Sequence, residues 1–574
     1  MQGRARDRLR PRGRRLGLAV AAVLYLAVGL YLLRPVLPAP ASTVPHPVRA
    51  YALGTTWERL FQSDQKLTVA LITYDVRALF TRPWRFTEGP QCHPLGHAMT
   101  LGHFMLGEGL RGALPFALTR DPILTYNLVV LSTFWCAALA MYALVAYWTR
   151  SGAAALVAGL AFALDPASIA SPGNLHVVGN LWTPLVLLFM HRLCVHRRWR
   201  DATGLTLFAG LQLLEGVYPT LAALVFGAVY GSYLLVRTRG TRGTLAPKIT
   251  AAGAALGALA VAVVGPYFAE GAPRIVHAQA WATTNDLGAF APGGFAFPGV
   301  VLTALALVGL LDRVRVARRS EGYDPRLVFL AAGLTTLWAS VGEIPLPLTD
   351  AAAPGLLTLL RALVPGLELL RTWAAVGSGM RVAAAFLAGF GVLALVENRG
   401  ALVRGAVVLG SLLALVGETV HPSLAESSFG TSLALRAVRI RPPESLLMLY
   451  ERMPPGAVID LPLDYGFGGF LDMSDDVLLG AFHGHRVASC YNSFRTPVQD
   501  DVAALARRLA SDRDAAAALY ALGFRSVVLH LANLKRQPAL IGLLASPPDY
   551  LVPLGRTAGY AVYRLDASVT RQAG

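Results

Sequence analysis

Long apolar runs, separated by short polar segments, recur along most of the chain as far as about residue 420. A bilayer core of about 30 Å needs about 20 apolar residues at about 1.5 Å per helical residue. Most of the runs approach this length, so they predict membrane-spanning helices. The eleven predicted spans are 16–34, 122–147, 152–165, 178–195, 202–215, 217–236, 249–268, 294–311, 326–341, 378–396 and 401–419.

Composition supports a membrane protein. Of the 574 residues, 55% are hydrophobic and 15% are charged, and the mean hydropathy is +0.50, which excludes an ordinary soluble protein. The formal net charge of +17 is carried mainly by arginines in short loops between apolar runs. Such residues orient spans and do not form one continuous basic face. We therefore expect a lipid bilayer as partner and no nucleic acid.

The positions of the basic residues predict the topology. Seven arginines precede the first span, which we interpret as a retained signal anchor, and every second short loop is basic. The external turns 166–177 and 215–218 have no Lys or Arg. Because basic residues concentrate on the cytoplasmic side, residues 1–15 are predicted to be cytoplasmic. An odd number of spans then leaves the C-terminus outside.

Two regions depart from the apolar pattern. Residues 35–121 form a long first external loop within the predicted membrane domain 16–420. From residue 421 to 574 the apolar runs shorten to strand length, which predicts a small periplasmic α/β domain tethered to the last span. Its predicted strands are Val458–Leu463, Ser526–Leu531, Leu551–Leu554 and Tyr560–Leu565, and its predicted helices are Val502–Ala510 and Asp514–Leu522.

Two of the four cysteines, Cys92 and Cys490, fall outside the membrane in this topology. An oxidising periplasm permits a bridge between them. With so few cysteines we expect two unpaired thiols, and the bridge is the alternative.

Asp64 and Asp75 are candidate catalytic residues of the first external loop. Eleven residues apart on one helix, they point within about 20° of each other, so both carboxylates share a face. Such a carboxylate acts as a general base or binds a divalent metal. The alternative is that both are solvated charges on an amphipathic helix.

His93 and His97 have the i, i+4 spacing of a helical metal pair, with Glu88 and His103 as further ligands. Pro94 and Gly96 lie between or beside them and favour a turn instead. In the C-terminal region, Asp-Met-Ser-Asp-Asp at 472–476 resembles a carboxylate cluster for a cation, although a solvated loop is the favoured interpretation.

Arg371 and Arg381 lie in or near the external loop before the span 378–396. Ionisable groups at membrane depth are functional candidates, and arginine binds phosphate bidentately. The partner is either a substrate phosphate or an internal carboxylate such as Glu368.

Several short motifs occur in a fixed order along almost the whole chain. They are Asp121-Pro122-Ile123-Leu124-Thr125-Tyr126-Asn127, Ala163-Leu164-Asp165-Pro166, Leu175-His176, Trp182-Thr183-Pro184-Leu185, Leu370-Arg371, Met380-Arg381-Val382, Phe386-Leu387-Ala388-Gly389, Gly456-Ala457-Val458-Ile459-Asp460-Leu461-Pro462 and Leu522-Gly523-Phe524-Arg525-Ser526-Val527-Val528. With one span followed by a long external loop, this order resembles bacterial integral-membrane glycosyltransferases of the GT-C superfamily.

The resemblance implies transfer of a sugar from a polyprenyl-phosphate donor to an acceptor at the outer face of the cytoplasmic membrane. It also implies that Asp64, with Asp75 second, serves as base or metal ligand. Arg371 or Arg381 would contact the donor phosphate, and His176 is the third candidate for substrate binding. Where relatives often have an acidic residue, within the stretch matching Gly102–Phe104, this chain has His103.

Two other functions stay open. A lipid or polysaccharide transporter or flippase would favour inverted repeats, and the sequence has no clear one. A non-catalytic scaffold for envelope assembly would lack a cavity joining Asp64 to Arg371 and Arg381. The abundance of Arg, Ala, Gly and Leu indicates a bacterium with a GC-rich genome.

Overall fold

A computed structural model describes residues 11–48, 55–238, 242–271, 277–278, 284–291, 296–312, 323–345, 352–363, 367, 370–420, 434–465, 467–492, 494–566 and 568. The first four of the N-terminal arginines, Glu368 and the start of the predicted C-terminal domain at 421–433 lie outside these residues.

The part of the chain up to residue 420 is largely helical. Its helices are α1 Pro11–Leu32, α2 Thr55–Thr81, α3 Leu106–Thr119, α4 Pro122–Thr149, α5 Gly152–Ala163, α6 Pro166–Ala170, α7 Leu175–Val178, α8 Thr183–His196, α9 Trp199–Glu215, α10 Val217–Arg237, α11 Arg242–Pro266, α12 Val300–Leu311, α13 Arg326–Ser340, α14 Leu356–Leu363, α15 Ser378–Val396 and α16 Ala401–Val420. Short strands are β1 Thr43–Pro47, β2 His277–Ala278, β3 Glu343–Pro345 and β4 Ala352–Pro354.

Each predicted span overlaps one of these helices. Among the described residues, six helices are long and apolar enough to cross a membrane, as judged by length and composition: Arg15–Leu32, Pro122–Thr149, Val217–Arg237, Gly243–Gly271, Trp373–Val396 and Ala401–Thr419. Four shorter helices, α5, α8, α12 and α13, are also apolar. The chain is thus a helical membrane protein, and the number of eleven crossings stays a prediction.

Two of the sequence motifs have a local structural reason. In Asp121-Pro122 and Asp165-Pro166 the aspartate is the N-cap of α4 or α6 and the proline is the first helical residue. Asp121 accepts a hydrogen bond of 2.8 Å from the Leu124 N–H, and Asp165 accepts one of 3.3 Å from the Ser168 N–H. Both arrangements satisfy N–H groups that have no partner within the helix.

The central packing of the membrane part is close. Phe329 of α13 stacks on Phe386 of α15 with ring centroids 3.9 Å apart. On the opposite side, α12 crosses α15 at Gly309 and Gly391, where a Cβ atom on Gly391 would lie 2.0 Å from the Leu305 carbonyl oxygen. Only glycine permits this approach of the two backbones.

The C-terminal region contains the predicted strands and helices. Its strands are β5 Leu435–Arg439, β6 Ala457–Leu461, β7 Phe494–Arg495, β8 Phe524–His530, β9 Leu551–Arg556 and β10 Tyr560–Leu565, and its helices are α17 Glu444–Tyr450, α18 Phe467–His483, α19 Pro497–Arg508, α20 Arg513–Ala521 and α21 Gly542–Ala545. Four strands form one sheet in the order β6-β8-β10-β9, with β6 parallel to β8 and the other pairs antiparallel.

This region is not only tethered to the last apolar helix but also packs on the first external loop. Strand β1 pairs antiparallel with β5 over Thr43–Pro47 and Leu435–Arg439. Helix α18 packs along α2, with ion pairs from Arg59 to Asp472 at 2.8 Å and from Lys66 to Asp475 at 2.5 Å. Asp472 and Asp475 therefore lie on a helix rather than in the solvated loop expected from the sequence.

The expectation of two unpaired external thiols is wrong. Cys92 and Cys490 form a disulfide, with an S–S distance of 2.01 Å across a sequence separation of 398 residues. The sequence could not favour this pairing, because nothing local indicates that residue 490 folds back on the first loop. Cys136 and Cys194 are free.

Candidate functional site

Asp64 lies on α2 at a junction of three chain segments. Its Oδ1 accepts a hydrogen bond of 2.8 Å from the Tyr491 hydroxyl, and its Oδ2 accepts one of 3.1 Å from the Asn174 side-chain amide. Burial raises the pKa of Asp64, while the two hydrogen bonds and the nearby Arg371 act in the opposite direction. A carboxylate with both oxygens hydrogen-bonded keeps further lone pairs for a substrate proton.

A glycine allows Asn174 to reach Asp64. At Gly173 a Cβ atom would lie 2.8 Å from the Gln65 backbone nitrogen and 3.0 Å from the Asp64 Cβ. In addition, the Thr68 hydroxyl donates to the Gly173 carbonyl oxygen. The segment 172–174 therefore packs directly on α2, and its next side chain points at the carboxylate.

Arg371 lies beside the same junction. Its backbone N–H donates a hydrogen bond of 3.0 Å to the Tyr218 hydroxyl, and its guanidinium lies 6.0 Å from the centroid of the Phe494 ring. The guanidinium interacts electrostatically with Asp64 and Tyr491. The structure thus brings together Asp64 and Arg371, two of the residues predicted from the sequence.

Two histidines extend the site. The His103 and His176 rings lie 4.3 Å apart, and His103 is 5.3 Å from the Tyr218 ring. Burial, with a smaller contribution from Arg371, lowers the pKa of His103 to about 3, and burial also lowers that of His176. Both imidazoles are therefore neutral near pH 7. His103, noted in the sequence as a departure from the family, is part of this group.

Arg381 has a different environment from Arg371. It donates to the backbone carbonyls of Ala161, Phe162, Leu164 and Pro298 at 2.6–3.3 Å, and it lies 3.4 Å from Asp165. The first three carbonyls are at the C-terminal end of α5, where the helix has no internal donors for them. The internal carboxylate expected as one alternative is therefore Asp165, whereas Glu368 lies outside the described residues.

Arg381 also lines an apolar cavity of about 70 Å³. The walls include Leu32, Phe134, Phe162, Ile169 and Leu175, and one end carries the polar residues Asp165, Asn180, Ser378 and Arg381. Pro172 and Leu175 face this cavity, whereas Gly173 and Asn174 contact Asp64 and its neighbour. The cavity and the Asp64 site thus lie on two sides of one segment, and this cavity does not join Asp64 to Arg371 and Arg381 as the enzyme interpretation expected.

Asp75 does not share the Asp64 site. Eleven residues further along α2, it lies about 16 Å away along the helix axis. It is fully buried and accepts a hydrogen bond of 2.7 Å from the Met105 N–H. Burial raises the pKa of Asp75 to about 7. The common helix face was predicted, but the length of the helix separates the two carboxylates.

The predicted metal ligands Asp64, His93 and His97 are not gathered in the structure. The His93 ring contacts the Leu522 carbonyl oxygen at 2.7 Å and packs on Phe524, whereas His97 contacts the Thr87 hydroxyl at 2.8 Å. The residues around Pro94 form turns and not the helix that i, i+4 ligation needs. The two imidazoles therefore bind different parts of the chain.

Another group has the spacing that a metal requires. Within the described part of the chain, the group that could hold an ion is Asp460, Asp476 and His530, with one ligand atom from each within 4.8 Å of the others. Burial, together with Asp460, raises the pKa of Asp476 to about 8. Burial lowers the pKa of His530, but the two carboxylates outweigh it and raise the value to about 9.

Sequence reasoning missed Asn174, Tyr218 and Tyr491. Asn174 directly precedes the Leu175-His176 motif, so a wider reading of that motif would have included it. Tyr491 directly follows Cys490, so the bridge to Cys92, which the sequence offered only as the alternative, would have linked it to the first loop. Tyr218 gave no signal, because an aromatic residue at the start of an apolar helix is common.

Comparison with known proteins gives structural similarity alone. No family model matches the chain, and no curated protein matches it in sequence. The chain is similar to the crystal structure of ArnT from Cupriavidus metallidurans in the apo state, with 13% identity, 95% of this chain and 98% of that chain covered, and a TM-score of 0.46. The same enzyme bound to undecaprenyl phosphate gives 12% identity, 98% and 99% coverage, and a TM-score of 0.47.

The Archaeoglobus fulgidus oligosaccharyltransferase in the apo form is also similar, with 13% identity, 95% of this chain and 73% of that chain covered, and a TM-score of 0.45. Because these TM-scores are below 0.5, the function proposed below rests on the residues of this chain.

Proposed function

We propose that this protein is a membrane glycosyltransferase that moves a sugar from a polyprenyl-phosphate donor to an acceptor at the outer face of the cytoplasmic membrane. The observation that carries the proposal is that the Arg371 guanidinium lies near enough to the Asp64 carboxylate to interact with it electrostatically. A base and a phosphate-binding cation are the two charged groups that such a transfer needs.

Asp64 is the proposed general base. The acceptor hydroxyl oxygen attacks the anomeric carbon, the bond from this carbon to the donor phosphate oxygen breaks, and the hydroxyl proton passes to Asp64. Polyprenyl phosphate leaves with the electron pair of the broken bond. Hydrogen bonds from Asn174 and Tyr491 orient the carboxylate, and partial burial strengthens its basicity.

Arg371 is the proposed partner of the donor phosphate. A guanidinium offers paired donors to phosphate oxygens and balances the charge that develops as the phosphate leaves. The neutral rings of His103 and His176, whose centroids lie 4.3 Å apart, supply hydrogen bonds to sugar hydroxyls without competing for the anion.

The apolar cavity beside the segment 172–175 is the proposed place for the first isoprene units. It has an apolar wall of helix side chains and a polar end at Arg381 and Ser378, as an amphipathic lipid requires. In this arrangement Arg381 acts by holding α5 and the cavity end in place, and Arg371 is the residue that contacts the phosphate.

The outer face is the proposed side of the reaction. The alternation of basic loops puts the first external loop, the turn 166–177 and the C-terminal region on that side. The Cys92–Cys490 disulfide supports this side, since such bonds persist in oxidising compartments and are rare in the cytoplasm.

The test is transfer of labelled sugar in proteoliposomes that contain the purified protein and a polyprenyl-phosphate-linked sugar. We expect the wild type to move label from the lipid to a water-soluble or lipid acceptor. Asp64→Asn should reduce the rate by at least about 100-fold, a typical contribution of a general base. Asp566→Asn, a change of a partly exposed carboxylate in the C-terminal region, is the control and should keep the wild-type rate.

The outcome also separates the alternative functions. If the labelled lipid changes leaflet while the sugar stays attached, the protein is a flippase. If neither event occurs with any polyprenyl-linked sugar of the host membrane, a scaffold is supported and the enzyme proposal is wrong.

A further inference from the structure

A group of three ionisable side chains lies at one edge of the C-terminal sheet, away from Asp64 and Arg371. Asp460 is in β6 and His530 is the last residue of β8, and these two strands are parallel neighbours. Asp476 reaches the same point from α18. The carboxyl ends of adjacent parallel strands are where α/β sheets generally bind ligands.

The geometry of the group is close to that of a metal site. His530 Nε2 lies 3.0 Å from Asp460 Oδ1 and 3.2 Å from Asp476 Oδ1. With bonds of about 2.0–2.2 Å to zinc, tetrahedral neighbours lie about 3.3–3.6 Å apart. His530 Nε2 therefore needs to move away from each carboxylate oxygen by only a few tenths of an ångström to reach this spacing, and the three ligand atoms all lie within 4.8 Å of one another.

Buried polar atoms without partners surround the group. Asp460 is 2% exposed, and its Oδ2 has no hydrogen-bond partner among the described residues. The hydroxyls of Tyr450 and Tyr465 are also buried without a partner in the same described set. Tyr450 interacts electrostatically with Asp460 and Asp476. Such atoms are rare in folded proteins and point to a further ligand.

Two buried carboxylates beside one imidazole need compensation, either from protons held within the group or from a cation that replaces them. Burying a carboxylate is strongly unfavourable unless it is paired or coordinates a metal. A divalent cation balances both carboxylates while the imidazole stays neutral and binds through nitrogen. One nitrogen and two oxygen ligands suit Zn²⁺ or Mn²⁺ better than Ca²⁺, which takes six to eight oxygens.

We propose that Asp460, Asp476 and His530 bind one divalent transition-metal ion, with Zn²⁺ as the preferred ion, and that this ion fixes α18 to the edge of the sheet. The ion is structural and takes no part in bond making or breaking. This site differs from the one predicted from the sequence, which used Asp64, His93 and His97.

The site is connected to Asp64 by three consecutive residues. The Ser489 hydroxyl donates a hydrogen bond of 2.5 Å to Asp476 Oδ2, Cys490 forms the disulfide with Cys92, and the Tyr491 hydroxyl donates to Asp64. An ion on Asp476 therefore holds the segment that positions Tyr491. In this way the metal orders one wall of the proposed active site from a distance.

The test measures metal binding by the full-length protein in detergent after removal of metals with a chelator. Equilibrium dialysis against Zn²⁺ alone, followed by elemental analysis, should give about one ion per chain. Asp460→Asn and His530→Gln should weaken binding by about 100-fold or more, because each removes a ligand. Ser489→Ala, which removes only a hydrogen bond to a ligand, should weaken it by about 10-fold.

Two control variants test whether the ion binds at Asp460, Asp476 and His530 and not elsewhere. Asp549→Asn, an exposed change in the same region, and Asp64→Asn should both leave one ion per chain. Loss of the ion in Asp64→Asn, or its retention in Asp460→Asn, would overturn the assignment. Failure of the wild type to bind Zn²⁺ or Mn²⁺ would overturn the proposal. It would show that a proton shared among Asp460, Asp476 and His530 compensates their buried charge without a metal.

A spectroscopic measurement avoids dependence on the folding of variants. Co²⁺ bound to the wild type should give visible absorption bands of a four- or five-coordinate site with nitrogen and oxygen ligands, and Zn²⁺ should displace it. Bands of a six-coordinate hydrated ion would contradict the proposal. Because both readouts measure the metal, they are independent of whether the protein transfers sugar.

Discussion

The two aspartates of α2 show how surroundings decide the role of a residue. Asp64 is hydrogen-bonded by two side chains from distant segments and lies near a guanidinium. Asp75 is fully buried and receives one backbone hydrogen bond, from Met105. Sequence spacing placed both on one face, yet only Asp64 meets the partners that catalysis requires. We therefore interpret Asp75 as a structural residue that keeps its proton in the folded protein up to about pH 7.

This interpretation predicts a pH dependence of stability. The pKa of Asp75 is raised from 3.8 to about 7, so between these values the unfolded chain loses a proton that the folded chain keeps. Stability is therefore lost as the pH rises from about 4 to about 7, and the loss persists above that range. Asp75→Asn removes this effect, and its stability relative to wild type should rise by about 2–4 kcal/mol between pH 4 and pH 8, at about 1.4 kcal/mol per pKa unit.

Thermal unfolding in detergent at several pH values measures this difference. Thr73→Val is the control, because it is a buried change on the same helix at a residue that does not titrate. Its free energy of unfolding should differ from that of the wild type by the same amount at every pH. If the stability difference between Asp75→Asn and wild type is also independent of pH, Asp75 is ionised in the folded protein.

The sequence identified the site residues that are charged, because charged side chains are uncommon in this mostly apolar chain. Asp64 and Arg371 are charged groups beside apolar spans, and the structure brings them together. Asn174 and Tyr491 could not be found in this way, because their role depends on contacts between residues 110 and 427 positions apart. His93 and His97 had suitable spacing, but the backbone between them turns.

At the level of elements, the hydrophobic runs predicted a helix at every span, since burial in lipid requires each backbone group to be paired within the helix. The alternation of short apolar runs likewise predicted the strands β6, β8, β9 and β10. The pairing of β1 with β5 was not predictable, because it joins the start of the first loop to residues beyond the last apolar helix.

The crossing of α12 and α15 leads to a prediction about packing. At Gly391 an added methyl group would lie 2.0 Å from the Leu305 carbonyl oxygen, so Gly391→Ala must push the two helices apart. We expect a loss of about 1–3 kcal/mol, as in other overpacked sites, measured as a lower thermal midpoint in detergent.

Gly410 of α16 is the matched control, because a Cβ atom there meets nothing within 4 Å. Gly410→Ala should be neutral or stabilising by up to about 1 kcal/mol through helix propensity. Equal midpoints for the two variants would mean that α12 and α15 do not cross so closely.

At the level of the whole molecule, the candidate site is an assembly of segments that are far apart in the chain. The first external loop supplies Asp64 and His103, the external turn supplies Asn174 and His176, and the C-terminal region supplies Tyr491. The Cys92–Cys490 disulfide and the packing of α18 on α2 hold the first loop and the C-terminal region together. The basic loops predict a topology, whereas the assembly of the site depends on long-range packing.

The central claim is that Asp64 and Arg371 act in one site with different tasks. The most direct measurement is the rate of sugar transfer at varied donor concentration for wild type, Asp64→Asn and Arg371→Gln in the same proteoliposomes. We predict that Asp64→Asn lowers kcat by at least about 100-fold with little change in KM, and that Arg371→Gln mainly raises the KM for the polyprenyl-phosphate donor. Undiminished transfer by Asp64→Asn, or a wild-type KM in Arg371→Gln with full kcat, would contradict the account.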